Sequence, residues 1–283
     1  MAKIQWVGIA GAGTMGRGIA QVFAQAGYKV ILYDTNPAAL ENARKEIHDS
    51  LQKLEEKNKI TSGEAMEIVA RICTTNQIQD LSCQLVVETV AEVPEVKRSL
   101  FQSLSDICPA DALLTTNTSS LSVTELATSV KHPQRFAGLH FFNPAPLMKL
   151  VEIIRGAQTA DETLRQLTSL VTTLGKVPVH AHDSPGFIVN RVARPYYTEA
   201  LKLLEEQVAD IRTIDRLMRA TGFRMGPFEL MDLIGVDVNY AVTRSLFEAF
   251  SGEVRFRPSR IQEQKVRAGQ LGRKSGKGFY DYG

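Results

Sequence analysis

Residues Gly11-Ala-Gly13-Thr-Met-Gly16 set three glycines at G-x-G-x-x-G spacing, directly after an apolar run from Ile4 to Ala10. A helical stretch follows to about Ala26, where Gly27 supplies a stop, and Val30-Ile-Leu-Tyr-Asp34 reads as a second buried strand. Strand, glycine turn, helix and strand in this order restrict the chain to a parallel βαβ unit covered on both faces. Each glycine answers its own steric need. Gly11 permits the tight turn, Gly13 lets backbone approach a pyrophosphate, and Gly16 lets the helix pack close to the strand. The loop residues Thr14 and Met15 open a helix N-terminus whose N–H groups and partial positive charge suit phosphates.

Asp34 lies 18 residues after Gly16, where a carboxylate accepts hydrogen bonds from ribose hydroxyls. It repels a 2′-phosphate, and the next residues, Thr35 and Asn36, bring no arginine to attract one. NAD is therefore expected rather than NADP. A non-catalytic Rossmann domain, or one that binds FAD or another nucleotide, stays open as the alternative.

The expected fold class is α/β. A Rossmann-type, mostly parallel sheet domain is expected over residues 1–183, followed by a smaller all-α domain over 184–283. Asn36-Pro37 starts a long helix whose apolar positions Leu40, Ala43, Ile47, Leu51 and Leu54 form one stripe. With a second helix over Ser62 to Arg71, it makes a pair longer than a crossover needs, expected to project from the sheet. Further strands are expected at 85–88, 113–116, 136–142, 150–154 and 177–181. After Asp183-Ser-Pro-Gly186 the pattern turns helical, over 187–205, 210–220, 227–233 and 236–250.

Lys and Arg total 33 against 31 Asp and Glu, a net charge of +2, which argues against nucleic acid or a membrane surface as partner. Cys73, Cys83 and Cys108 are odd in number and unpaired in spacing, so they are expected as small buried hydrophobes in a reducing compartment. No apolar stretch approaches the roughly 20 residues of a membrane span. Met1-Ala-Lys-Ile4 runs straight into a strand without a signal peptide. A cytoplasmic protein is expected.

Oxidising an alcohol by hydride transfer requires a base for the hydroxyl proton. Of five histidines, His48 reads as helix surface, His132 as polar loop, and His180 and His182 as flanking the domain junction. The His-Ala-His-Asp string at 180–183 lacks a further ligand cluster, so no metal is expected. His140 differs, because it sits in an apolar strand six residues before Pro146, with Glu152 six residues after it. If the chain folds back about that point the two face each other, and a carboxylate would fix the imidazole tautomer. A satisfied core histidine beside an unrelated glutamate is the competing reading.

Gly11–Gly16, Asn117-Thr-Ser-Ser-Leu121, His140-Phe-Phe-Asn-Pro144 and Pro185-Gly-Phe-Ile-Val-Asn-Arg191 together resemble the 3-hydroxyacyl-CoA dehydrogenases. The resemblance continues through Met225-Gly-Pro-Phe-Glu-Leu230 to Gly276-Lys-Gly-Phe-Tyr280. It is strongest toward the compact bacterial 3-hydroxybutyryl-CoA enzymes. It implies that His140 is the general acid/base, that Glu152 orients it, and that Ser119 and Asn190 hydrogen-bond the substrate oxygen. It also implies cofactor contacts at Glu92, Lys97, Asn117, Ser119, Asn143 and Lys274, and coenzyme A contacts at Ser50 and Lys57.

Ser50 and Lys57 are seven residues apart, hence on one helical face. Val93-Pro94 interrupts the segment between Glu92 and Lys97, where a more regular helix start is expected. The implied reaction interconverts a (3S)-3-hydroxyacyl-CoA, such as 3-hydroxybutyryl-CoA, and its 3-oxo form, such as acetoacetyl-CoA. A homodimer through the C-terminal domain is implied as well. A dehydrogenase of a free β-hydroxy acid and a non-catalytic NAD-binding relative are the rivals.

Overall fold

The computed structural model describes residues 4–283, so the expectation for Met1 to Lys3 lies outside the described residues. The chain packs as two compact units, one ending at Ser184 and one spanning Pro185–Gly283.

Among the described residues, the first unit holds an eight-stranded sheet in the order β3-β2-β1-β4-β5-β6-β7-β8. Its strands are β1 (Trp6–Ala10), β2 (Lys29–Tyr33), β3 (Ile72–Thr75), β4 (Leu85–Glu88), β5 (Leu113–Thr116), β6 (Phe136–Phe141), β7 (Leu150–Arg155) and β8 (Val177–His182). All pairings are parallel except β6 with β7. Strands β4 and β5 are buried at every residue, so their apolar residues Leu85-Val-Val87 and Leu113-Leu114 stand side by side rather than alternating. The order turns back between β1 and β4. That reversal marks the switch point of the sheet, and the carboxyl ends of strands at such a point are where α/β sheets bind ligands.

Helices of this unit are α1 (Thr14–Gln25), α2 (Pro37–Glu56), α3 (Ser62–Ala70), α4 (Pro94–Ile107), α5 (Val123–Ala127) and α6 (Asp161–Thr173). In α1, Ile19, Ala20, Phe23 and Ala24 are buried, and they share one core with Val7, Ile9, Val30 and Leu32 of the sheet. Asn36 caps α2, its side chain accepting from Ala38 N, and Pro37 needs no hydrogen-bond acceptor in the first turn. Leu40, Ala43, Ile47 and Leu51 then bury the stripe visible in the sequence. Thr61 and Glu64 close a capping box on α3.

The second unit carries α7 (Val189–Glu205), α8 (Ile211–Ala220), α9 (Pro227–Ile234), α10 (Val236–Ala249) and α11 (Arg260–Arg267). Tyr197, Leu201, Ile214, Phe228, Met231, Val236 and Phe279 form its core. Two buried carboxylates organise it. Asp215 accepts from Phe228 N and Glu229 N at the start of α9, and Asp232 accepts from Phe279 N and Tyr280 N of the tail.

Several sequence expectations need correction. Strand β3 and helices α5, α6 and α11 lie outside the sequence expectations, and of α4 only the helix start near Pro94 is among them. Cys73 is exposed on edge strand β3; only Cys83 is buried, with Cys108 between the two. Burial pushes the thiols of Cys83 and Cys108 up to about 12 and about 11, which keeps both protonated and unreactive. Helix α2 ends at Glu56, so Lys57 is its C-cap rather than a residue on its face.

Candidate active site

The glycine loop is shaped by contacts a side chain would break. Gly11 has φ of +108°, and a Cβ there would lie 2.8 Å from the Thr89 carbonyl. A Cβ on Gly16 would come within 1.8 Å of Gly11 O, so the first turn of α1 seats directly on the loop. At Gly13 nothing lies within 4 Å of the same position, which leaves open space at the helix N-terminus. Thr89, not singled out in the sequence, donates through Oγ1 to the carbonyls of Ala10 and Gly11 at 3.0 Å each. It ties the loop to the end of β4.

Asp34 accepts from Ala12 N at 2.8 Å through Oδ2 and from Asn36 N at 2.9 Å through Oδ1. These bonds hold the carboxylate against the glycine loop, and each oxygen retains acceptor capacity for a ribose hydroxyl. An open approach at Gly13, an exposed helix N-terminus and a fixed carboxylate fit a dinucleotide.

Beyond β4 lies a charge network in which Glu88 and Lys97 are buried and Glu92 is exposed at the rim. Glu88 is fully buried; its Oε1 accepts from Lys97 Nζ at 2.6 Å and from Val90 N at 2.7 Å. Its Oε2 accepts from Thr116 Oγ1 at 2.7 Å. Lys97 is 1% exposed and also reaches Glu92 Oε2 at 3.0 Å. Burial raises the Glu88 carboxyl despite Lys97. At Glu92 burial pushes the same way, but Lys97 and the bonds from Thr118 and Ser119 outweigh it and hold that carboxyl below its ordinary range.

Glu92 Oε1 accepts from Thr118 Oγ1, from Ser119 N at 2.9 Å and from Ser120 N at 3.2 Å. One carboxylate thus folds the loop that presents the Ser119 hydroxyl. Asn117 faces inward, its Oδ1 accepting from Phe141 N at 2.7 Å, and so links the end of β5 to β6. Pro94 sits at the first position of α4, where its missing N–H costs nothing; the Val93-Pro94 irregularity is an ordinary helix start.

Strands β6 and β7 pair antiparallel with His140 directly opposite Glu152. His140 Nδ1 lies 2.8 Å from Glu152 Oε2, and the two residues are 6% and 1% exposed. A carboxylate can only accept, so this pairing assigns the proton to Nδ1 and leaves Nε2 as the basic nitrogen. The imidazole packs on the Phe142 ring at 4.6 Å. Asn143 is exposed at the start of the turn between the two strands. That turn is held by Lys176, whose ammonium donates to Ala145 O and Met148 O at 2.7 Å each.

Four predicted site residues lie elsewhere. Ser50 is half-buried within α2, and Lys57 is exposed at its end. In the second unit, Asn190 stands in the first turn of α7, and Lys274 lies in a short turn with its ammonium 2.7 Å from Asp237 Oδ2.

Comparison with known proteins gives a chain-wide match. The family model described as 3-hydroxyacyl-CoA dehydrogenase, NAD binding domain, matches residues 6–184. The one described as 3-hydroxyacyl-CoA dehydrogenase, C-terminal domain, matches residues 186–282. The 3-hydroxyadipyl-CoA dehydrogenase of Escherichia coli is 50% identical over 100% of this chain, which spans 60% of that relative's length. A probable 3-hydroxybutyryl-CoA dehydrogenase of Deinococcus radiodurans is 43% identical, covering 97% of this chain and 99% of its own. The crystal structure of (S)-3-hydroxybutyryl-CoA dehydrogenase from Ralstonia eutropha superposes with a TM-score of 0.94 at 38% identity, over 99% of this chain and 100% of its own.

Proposed function

The chain belongs to the 3-hydroxyacyl-CoA dehydrogenase family of NAD-dependent oxidoreductases, and from that premise we propose how its residues divide the reaction. A (3S)-3-hydroxyacyl-CoA is oxidised to the 3-oxoacyl-CoA, and the reverse reduction acts on substrates such as acetoacetyl-CoA. The observation that carries this reading is the His140–Glu152 pair, with Nδ1 held 2.8 Å from the carboxylate. His140 takes the substrate hydroxyl proton at Nε2, and Glu152 stabilises the imidazolium that forms. Ser119 and Asn190 hydrogen-bond the C3 oxygen as its charge changes. When bound, NAD supplies the acceptor for the hydride that leaves C3.

Gly11, Gly13, Thr14, Met15, Gly16 and Asp34 hold the adenosine and pyrophosphate. Asn143, Lys274 and the Ser119 loop serve the nicotinamide half, with Glu92, Lys97 and Asn117 acting through that loop. Ser50 and Lys57 meet coenzyme A.

Two acyl chains are supported by the relatives, the four-carbon chain of the 3-hydroxybutyryl-CoA enzymes and the six-carbon diacid of the Escherichia coli protein. We also place the protein in the cytoplasm as a homodimer joined through its second unit. Support for the dimer comes from exposed Val192, Leu217, Phe223 and Leu233. Among the described residues no helix is long and apolar enough to cross a membrane.

The deciding assay follows NADH oxidation with acetoacetyl-CoA against free acetoacetate. Turnover of the thioester alone is expected. Equal rates would favour a free-acid dehydrogenase, and no turnover with any acyl chain would favour a non-catalytic relative. Sedimentation at low concentration tests the dimer.

A further inference from the structure

Arg194 is 3% exposed, yet no carboxylate among the described residues pairs with it. Its Nε donates to Asn190 O at 3.2 Å, and its Nη1 donates to Asn239 O at 3.0 Å and Thr243 Oγ1 at 3.1 Å. The guanidinium also lies 4.7 Å from the centre of the Tyr197 ring. Three of its five N–H groups are therefore used, all on neutral acceptors, and the two on Nη2 make no hydrogen bond among the described residues. Of the other buried cations near the site residues, Lys97 has two carboxylates, and Lys176 donates to two backbone carbonyls. Burial without an anion pushes the Arg194 guanidinium down to about 10. Asn239, whose carbonyl receives Arg194, carries a buried donor, Nδ2, with no partner, and its neighbour Gln262 carries a buried acceptor, Oε1, with none. A buried cation is costly unless an anion joins it.

The position of this guanidinium names the anion. Arg194 follows Asn190 by four residues on α7, so the two share a face about 6 Å apart along the axis. The bond from Nε to Asn190 O lays the side chain back toward Asn190. Asn190 is the residue assigned to the C3 oxygen of the substrate. From C3, three extended carbon–carbon bonds and a terminal oxygen span about 5 Å. A six-carbon acyl chain that ends in a carboxylate reaches the guanidinium, whereas a four-carbon chain ends short of it.

Resting on the reading of the site given above, we propose that Arg194 receives the terminal carboxylate of a dicarboxylic 3-hydroxyacyl-CoA and selects that substrate class. A planar guanidinium with both Nη2 protons available suits a carboxylate better than an ammonium would.

The test compares kcat/KM for 3-oxoadipyl-CoA and 3-oxohexanoyl-CoA, chains of equal length that end in carboxylate and methyl. The unaltered protein is expected to prefer the carboxylate by about 10- to 100-fold, the range of a charge-assisted hydrogen bond. Arg194→Met is expected to collapse that ratio, whatever it does to each rate. A merely structural arginine would shift both rates together and leave the ratio standing, and that result would overturn the proposal. If Arg194→Met does not fold, the unaltered protein decides alone, since equal rates or a preference for the methyl-ended chain would also overturn it. Failure of the underlying reading looks different, because acetoacetyl-CoA would then not turn over either.

Discussion

His140 and Glu152 occupy one register position across the β6–β7 pair, with Nδ1 and Oε2 2.8 Å apart inside the sheet. Backbone pairing on both strands sets that distance, so the imidazole is oriented before substrate arrives. His140→Ala is expected to lower kcat for acetoacetyl-CoA reduction by about 10²–10⁴-fold while NADH binding, followed by fluorescence, stays near normal. Glu152→Gln is expected to lose a comparable factor, because an amide can hold the wrong tautomer. The double variant should lose little more than His140→Ala alone, since the two act as a unit. Losses that multiply would separate them.

Gly13 and Gly16 make opposite predictions although both belong to one motif. At Gly13 a methyl meets open space, so Gly13→Ala is expected to cost no more than about 1 kcal/mol of stability. Its effect should fall on NADH affinity, where the methyl occupies the pyrophosphate approach. At Gly16 the methyl would meet Gly11 O, so Gly16→Ala is expected to lower the melting temperature as well as cofactor affinity. Thermal unfolding with and without NADH measures both.

Lys97 is held between Glu88 and Glu92 at 2.6 and 3.0 Å. Lys97→Met would strand the buried Glu88 carboxylate, at a cost of roughly 3–5 kcal/mol. Urea unfolding of that variant checks the figure. Replacing Glu88 by Gln in the same protein is expected to recover part of the loss, because the stranded charge is then gone.

Glu92 binds its proton more weakly in the folded chain than in the unfolded one, since its carboxyl lies below the ordinary range. Its contribution to stability is therefore present above about pH 4.3 and lost as pH falls through the lower folded value. Glu88, shifted upward by burial, runs the opposite way and favours the folded state below the ordinary range. Glu92→Gln is expected to flatten the acid side of the stability curve. Urea unfolding between about pH 3 and pH 6 measures it. An unchanged acid limb would show that the loop is held by other groups.

Strands β4 and β5 were readable because Leu85-Val-Val87 and Leu113-Leu114 set apolar residues side by side, and α2 because its buried stripe recurs at helical spacing. Strand β3 was not, since Ile72-Cys-Thr-Thr75 is short, half-exposed and on the sheet edge, where little burial marks the sequence. Helix α11 is strongly polar and buries only Gln262, so it too lacks an apolar stripe. The glycine motif and Asp34 were legible because each acts on residues close by in the chain. Thr89, Glu88 and the neutral surroundings of Arg194 were not, because their partners lie far along the chain or in another helix.

What the amino-acid order determined by itself was therefore local: the βαβ unit, the glycine turn, the carboxylate that suits a ribose, and the apolar strand that carries His140. Tertiary structure decided which distant polar groups meet. It reversed the chain between β6 and β7 so that a histidine and a glutamate share a register position, and it buried Lys97 between two carboxylates but Arg194 beside none. The reason is physical. Periodicity reports which face of an element is apolar, whereas the partner of a buried charge depends on pairings across the fold, which no local pattern encodes.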